Sequence, residues 1–166
     1  QSKGSPGWLL QTFCESAFTF QITVDPFATQ DFIALPSAAN PTIAMVPGDP
    51  AHWKAVLPTL RRPGETFRLS IKGDDSWGNP SDRFAGKIKL KTNLPVTGLA
   101  EIIDLKAGDF GAVIEGLSVE SPGVLHLTVL DEHDQLIATA NPLVIRQANA
   151  AHFWSDMHAQ SGETIG

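Results

Sequence analysis

The residues best suited by type and spacing to metal binding lie near the end of the sequence, where Asp156, His158 and Gln160 alternate with other side chains. Successive side chains of an extended strand point to opposite faces, so residues two apart share a face. A carboxylate, an imidazole and an amide on one face could converge on a divalent cation, or Asp156 could orient His158 as the ligand. On spacing alone, the competing interpretation is a polar terminal segment that binds nothing.

The segment beginning at Asp156 resembles the opening Asp-x-His-x-His-x-Ser motif of the polymerase-and-histidinol-phosphatase (PHP) metallohydrolases, which ends their first barrel strand. The longer stretch 154–166 is similar to the bacterial family catalogued as domain of unknown function 3604, in which a β-rich region precedes a PHP-like part. The turn motifs at 62–65, 75–80 and 141–142 are similar to turns of that family in the same order. The resemblance therefore covers most of the chain.

The resemblance implies that Asp156, His158 and Gln160 belong to the metal site of a parent hydrolase, in which the ion activates water for attack on an ester or phosphoester. Gln160 stands where the general motif has its second His, and an amide is a poorer ligand than imidazole for zinc-like ions. It could ligate the ion, or hydrogen-bond a metal-bound water or the substrate.

A catalytic metal takes about three protein ligands and keeps an open position. In a PHP-type barrel the remaining ligands would come from later strands. We therefore expect a divalent metal in the intact parent, and neither bound metal nor hydrolase activity in the present chain alone.

Composition and charge exclude several classes of protein. The 166 residues are 42% hydrophobic, enough for a packed core. The net charge is −6 and the basic residues form no block beyond Arg61–Arg62, so we expect no nucleic-acid partner. We expect no membrane span either, because no run of about eighteen apolar residues occurs. Cys14 is the only cysteine and leaves the compartment open.

The fold class follows from short alternating segments among frequent Gly and Pro, which interrupt long helices. Thr66–Lys72 and Lys87–Thr92 alternate strictly, Val124–Leu130 and Leu136–Ala140 flank a five-residue polar loop, and Leu143–Arg146 reads as a last strand. The sequence predicts an all-β, immunoglobulin-like β-sandwich. Its predicted core residues share the apolar side of their strands: Phe67, Leu69, Ile71, Ile88, Leu90, Leu125, Leu127 and Val129.

Weaker signals predict extra strands upstream at Ala17–Val24, Phe32–Leu35, Thr42–Val46 and His52–Leu57, whereas Ala100–Leu105 could be a strand or a helical turn. The predicted domains are a β-sandwich accessory domain over 1–150 and the first strand of a truncated PHP-like hydrolase domain over 151–166, a short extended tail. Within the first, residues 1–49 hold the extra strands and residues 50–147 the immunoglobulin-like part.

The leading functional hypothesis is a non-catalytic accessory domain whose partner is the C-terminal hydrolase domain of the parent chain. In the isolated chain, the strand at 151–166 could add to a sheet edge of another copy and create an oligomer. A carbohydrate or small-ligand binding module is an alternative, which a solvent-facing row of Trp77 with Trp53 or Trp8 would favour. An adhesin-like structural domain is the third.

Two polar loops have a ligand-binding and a structural interpretation. Asp131–Asp134 could hold calcium, but it lacks a spaced ligand series and fits a solvated hairpin turn better. Asp74–Pro80 could form a ligand platform, but Asx-type turns with Trp77 folded onto the sandwich edge are favoured.

Overall fold

A computed structural model describes residues 10–147, and strands make up nearly all of their regular structure. The exception is a 3-10 turn at Ser37–Ala39, and nothing within 10–147 forms a helix suited to crossing a bilayer. The all-β prediction is confirmed. In chain order the strands are β1 (Glu15–Thr19), β2 (Thr23–Val24), β3 (Ile33–Ala34), β4 (Thr42–Met45), β5 (His52–Val56), β6 (Leu60–Arg61), β7 (Phe67–Asp74), β8 (Gly86–Thr92), β9 (Ile102–Leu105), β10 (Ala112–Leu117), β11 (Gly123–Leu125), β12 (Leu127–Leu130), β13 (Leu136–Thr139) and β14 (Leu143–Ile145).

Three larger sheets enclose a single core. Their strand orders are β5-β7-β10, β13-β12-β8-β9 and β11-β14-β6. Neighbouring strands are antiparallel except β6 and β14, which run parallel. All three sheets contribute buried side chains to one apolar cluster, as stacked sheets of a sandwich do. The predicted β-sandwich is therefore present.

The central strands follow the predicted register. In β7 the side chains of Phe67, Leu69 and Ile71 are buried, while the alternating Arg68 and Lys72 face solvent. A slip of one residue would exchange the two faces, so this pattern fixes the pairing. All eight predicted core residues are at most 5% exposed, and the core prediction is confirmed.

The predicted strand Val124–Leu130 is wrong in one respect, because it breaks at His126 into β11 and β12. β11 pairs with β14, whereas β12 pairs with β8 and β13. Asn93 causes the break: its side chain accepts a 2.7 Å hydrogen bond from the His126 N–H and donates a 2.9 Å bond to the Val124 carbonyl. The backbone thus bonds to an amide side chain where it passes from one sheet to another.

Other strand predictions also change in detail. Ala17–Val24 is two strands, because the Phe20 N–H bonds to the Pro41 carbonyl and the Ile22 N–H to the Asn40 side chain. Ala100–Leu105 is resolved as a strand by the pairing of β9 with β8. β6 and β10 were not predicted.

Residues 10–46, which we call the arm, differ from the sandwich in having no core. The arm contains two small sheets, β1-β4 and β2-β3, and none of its residues is buried. Counting from residue 10, the first buried residue is Ala55. The immunoglobulin-like connectivity and the domain boundaries go beyond these observations and stay predictions.

Candidate functional site

The predicted metal residues Asp156, His158 and Gln160 lie outside the described residues, as does the whole of the predicted tail 151–166. Across residues 10–147, no three His, Cys, Asp or Glu side chains come close enough to hold a metal ion. The polar chemistry of the described part is instead concentrated in the turn after β7, where Asp74, Asp75, Asn79 and Ser81 are buried.

Asp75 is the centre of this turn and only 2% exposed. Its Oδ1 accepts hydrogen bonds from the N–H groups of Trp77 and Asn79, both 2.9 Å, and its Oδ2 accepts one from Gly48 at 3.1 Å. The Asn79 amide donates to both oxygens, at 3.2 and 3.0 Å. Gly78 supplies the left-handed φ of 88° that the turn requires. The predicted Asx-type turn is confirmed. The burial of the Asp75 side chain within it was not predicted.

The same bonds set the charge state of Asp75. Burial raises the pKa of this carboxyl, but hydrogen bonds from Asn79, from the Gly48 N–H and from the Trp77 N–H outweigh burial and lower the pKa to about 2. The group is therefore ionised at neutral pH. Because its oxygens already accept five hydrogen bonds, it is not available as a general base.

Asn79 connects the arm to this turn. Its Nδ2 donates a 2.7 Å hydrogen bond to the Thr12 carbonyl, and its Oδ1 accepts a 3.0 Å bond from the Cys14 N–H. Ser81 fixes a second segment by donating a 2.6 Å bond to the Gly48 carbonyl. The cluster is therefore a polar clamp that fastens residues 12–14 and the loop at Gly48 to the end of β7.

Asp74 is a buried carboxylate between two lysines. Its Oδ2 lies 2.6 Å from the Lys54 ammonium, and its Oδ1 lies 3.0 Å from that of Lys72, an ion pair whose angle does not make a hydrogen bond. The hydrogen bond from Lys54 lowers the pKa of Asp74 against the opposing effect of burial, and Lys72 adds to the lowering. Both oxygens of this carboxylate are thus matched by cations.

Trp77 does not fold onto the sandwich edge, and that prediction is wrong. The bonds to Asp75 aim the turn outward, and the indole is 70% exposed. Trp53 is instead partly buried and meets Phe84 edge to face at 4.9 Å. Trp8 lies outside the described residues. No row of solvent-facing indoles therefore forms within residues 10–147.

The acidic loop between β12 and β13 is a bonded hairpin turn. Asp131 Oδ1 accepts hydrogen bonds from the N–H groups of His133 and Gln135, at 2.9 and 2.8 Å. Lys89 reaches the loop from β8, with its ammonium 2.9 Å from Asp134 Oδ1 and 3.2 Å from the Glu132 carbonyl. A lysine thus occupies the position where a cation would bind, in agreement with the structural interpretation of this loop.

The turn motif at 75–80 was visible in the sequence, but its role as a clamp was not. Nothing local signals that Asn79 bonds to residues more than sixty positions away. Comparison with known proteins adds no assignment, because neither a family model nor a curated protein matches the chain.

Proposed function

We propose that residues 10–147 belong to a non-catalytic accessory domain of a PHP-like, metal-dependent hydrolase, whose opening metal motif lies in residues 151–166. In this proposal His158 is a metal ligand and Asp156 is a second ligand or orients His158. Gln160 ligates the ion or hydrogen-bonds a metal-bound water or the substrate. The hydrolase domain of the parent chain would use the divalent ion to activate water against an ester or phosphoester.

The observation that carries the proposal is that the three turn motifs resembling the domain-of-unknown-function family all make structural hydrogen bonds. At 62–65, the Arg62 N–H donates to Glu65 Oε2 at 2.9 Å. At 75–80, Asp75 is the acceptor at the centre of the clamp. At 141–142, Asn141 exchanges bonds of 2.9 and 2.8 Å with the backbone of Leu57. Each motif holds backbone segments of the described part in place, which supports a structural role for this part and leaves the metal chemistry to the terminal motif.

We also infer that the sandwich is of the immunoglobulin-like type. Such domains have about 100 residues and place their third, sixth and seventh strands side by side, facing a sheet built on the first, second and fifth. The neighbouring strands β8-β12-β13 and the sheet β5-β7-β10 are consistent with that order. The parallel pairing of β6 with β14 also places an early strand of the sandwich beside its last strand.

The test of the hydrolase proposal is the metal content of the full-length parent protein with His158 intact and with His158→Ala. We expect the substitution to lower the metal stoichiometry and to abolish turnover of the parent. His126→Ala is the matched control, because His126 is an exposed histidine between β11 and β12, far along the chain from the motif. Unchanged metal content and activity in His158→Ala would reduce the terminal motif to a polar linker.

Gln160 gives the same experiment a second readout. Replacement by His should raise metal affinity if residue 160 is a ligand, because imidazole is the stronger ligand for zinc-like ions. If Gln160 instead hydrogen-bonds water or substrate, Gln160→Ala should reduce turnover and leave metal content unchanged. Loss of neither metal nor turnover in Gln160→Ala would remove this residue from the site.

The exposed indole of Trp77 favours one alternative, a carbohydrate-binding module. A 70% exposed Trp on a turn held by buried bonds offers a flat apolar face on which a sugar ring could stack. Trp77→Ala should then abolish glycan binding, while the partly buried Trp53 would be needed for stability only. Glycan-array or calorimetric titration without any Trp77-dependent binding would exclude this alternative.

A further inference from the structure

The arm displays an aromatic side chain on a turn that is held in a strained conformation. The Asp25 carboxylate accepts hydrogen bonds from the N–H groups of Phe27, Thr29 and Gln30, at 3.3, 3.1 and 2.7 Å. Ala28 and Gln30 have φ values of 52° and 66°, which residues other than glycine adopt rarely. Phe27 is 81% exposed at the centre of this turn. The turn thus holds a large apolar side chain in water.

The surface around this turn has the composition of a docking surface. Phe32 and Ile33, which follow this turn in the chain, are also more than half exposed, and the arm contains no buried residue. Two-stranded sheets are marginal on their own and gain stability by packing against another surface. The arm has three acidic residues and neither Lys nor Arg, so a complementary surface would be apolar and basic.

The sandwich carries such a surface beside β8. An open pocket of about 570 Å³ has apolar walls that include Pro95, Val96, Leu99 and Ile102. Lys89 and Lys91 also line it, together with Glu101. Lys89 is already paired with Asp134, whereas Lys91 is exposed and makes no ion pair with the described residues. The hydrogen bond from Lys89 lowers the pKa of Asp134 and the charge of Lys91 adds to the lowering, but no carboxylate of residues 10–147 forms an ion pair with the Lys91 ammonium. The pocket therefore combines partly apolar walls with a lysine that has no ion-pair partner in the described part of the chain.

We propose that this pocket binds the Phe27 turn of a second copy of the chain, with Asp31 of that copy beside Lys91. Asp31 is exposed and, like Lys91, has no ion-pair partner among residues 10–147. Every copy contains both complementary surfaces, so one contact can form twice and close a two-fold dimer. The proposal is independent of the hydrolase function.

The first test is sedimentation velocity of the full 166-residue chain over a range of concentrations. We expect reversible self-association, and Phe27→Ser should raise the dissociation constant roughly tenfold or more, as truncation of a central aromatic anchor does. Phe110→Ser is the matched control, because Phe110 is 56% exposed but lies outside the arm and does not line the pocket. A monomer at all concentrations, or equal effects of the two variants, would overturn the proposal.

The second test is charge reversal, which a purely apolar association would not detect. Lys91→Glu and Asp31→Lys should each weaken self-association, because like charges then face each other, and added salt should partly restore the affinity by screening that repulsion. The double variant should recover most of the wild-type affinity, because it restores the opposite charges in reversed positions. Failure of the double variant to recover would overturn the pairing. Self-association that needs residues 151–166 but not Phe27 would instead assign it to strand addition by the terminal segment.

Discussion

The arm and the sandwich are both built from short strands rich in apolar residues, yet only the sandwich buries them. In β7 every second side chain is buried, whereas within residues 10–147 no side chain of β1 or β4 is buried. The comparison shows that alternation produces a core only when a second layer covers the apolar face. A strand pattern without a covering layer leaves a surface for something else to cover.

The two regions are joined by polar bonds where apolar packing would be expected. Asn79 and Asp75 together hold Thr12, Cys14 and Gly48 to the end of β7. Buried polar groups of this kind are costly unless they are hydrogen-bonded, and the side-chain oxygens and nitrogen of Asp75 and Asn79 all have hydrogen-bond partners. The join is therefore directional, and it positions the arm without merging it with the core.

The largest expected effect on the free energy of unfolding comes from a core substitution in the sandwich, compared with a substitution in the arm. Leu69→Ala should lower the free energy of unfolding by about 2–5 kcal/mol, because the fully buried side chain leaves a cavity. In the arm, Phe18→Ala removes a 5.0 Å ring contact with Phe20 and should change the main transition by less than about 0.5 kcal/mol. Urea denaturation measures both, and similar losses would mean that arm and sandwich share one cooperative core.

A substitution in the clamp between arm and sandwich should lower the free energy of unfolding by less, and should also change hydrogen exchange locally. Asn79→Ala should cost about 1–3 kcal/mol, since it leaves the buried Asp75 with fewer donors. It should also accelerate amide hydrogen exchange at Cys14. Asn141→Ala is the matched control, because Asn141 holds Leu57 through two similar bonds within the sandwich. If Asn141→Ala accelerated amide exchange at Cys14 equally, the clamp would not be the specific connection between the arm and the sandwich.

Acid titration should distinguish the carboxylates of the two regions. The pKa of Asp75 is lowered from 3.8 to about 2 in the folded protein, so its contribution to stability is present above pH 3.8 and is lost as pH falls through 2. In that window unfolding takes up about one proton at this group, and Asp75→Asn should make stability correspondingly less dependent on pH. Hydrogen bonds from Thr29 and neighbouring N–H groups also lower the pKa of Asp25. Asp25→Asn should nevertheless leave the main transition unchanged, and an equal change in both variants would contradict separate unfolding.

The smallest expected effect concerns the strained turn of the arm. Gln30→Gly should relieve the left-handed conformation and slow amide exchange within the turn, because glycine adopts positive φ without steric cost. The main unfolding transition should stay within about 0.5 kcal/mol. A shift of the main transition as large as that of Asn79→Ala would show that the turn is coupled to the sandwich.

The sequence predicted the central sheet strands well because burial there acts on one face of each strand. The register of β7 and β8 is visible in Phe67, Leu69, Ile71, Ile88 and Leu90, which no other pairing could bury together. The strands that the sequence did not predict, β6 and β10, show no such alternation between buried apolar and exposed polar residues. In β10 the exposed Val113 obscures the alternation, and β6 has only two residues, defined by parallel pairing with the distant β14.

The polar site was less predictable, because its partners are distant along the chain. Asp75 and Gly78 indicate a turn, but the bonds from Asn79 to Thr12 and Cys14 depend on how the arm folds back. The same holds for Asn93, whose side chain divides a strand more than thirty residues later. Local patterns report local geometry, and these contacts are tertiary. The predicted metal residues Asp156, His158 and Gln160 stay a prediction.

The parallel pairing of β6 with β14 has a mechanical consequence. The Val144 N–H bonds to the Thr59 carbonyl at 3.0 Å, and the Arg146 N–H bonds to the Arg61 carbonyl at 3.1 Å. Tension applied to the two ends of the sandwich would pull these strands lengthwise in opposite directions. The bonds between them would then be loaded in shear and would have to break together, whereas an antiparallel hairpin opens one bond at a time. The sandwich should therefore resist stretching along this axis more strongly than its equilibrium stability alone would suggest.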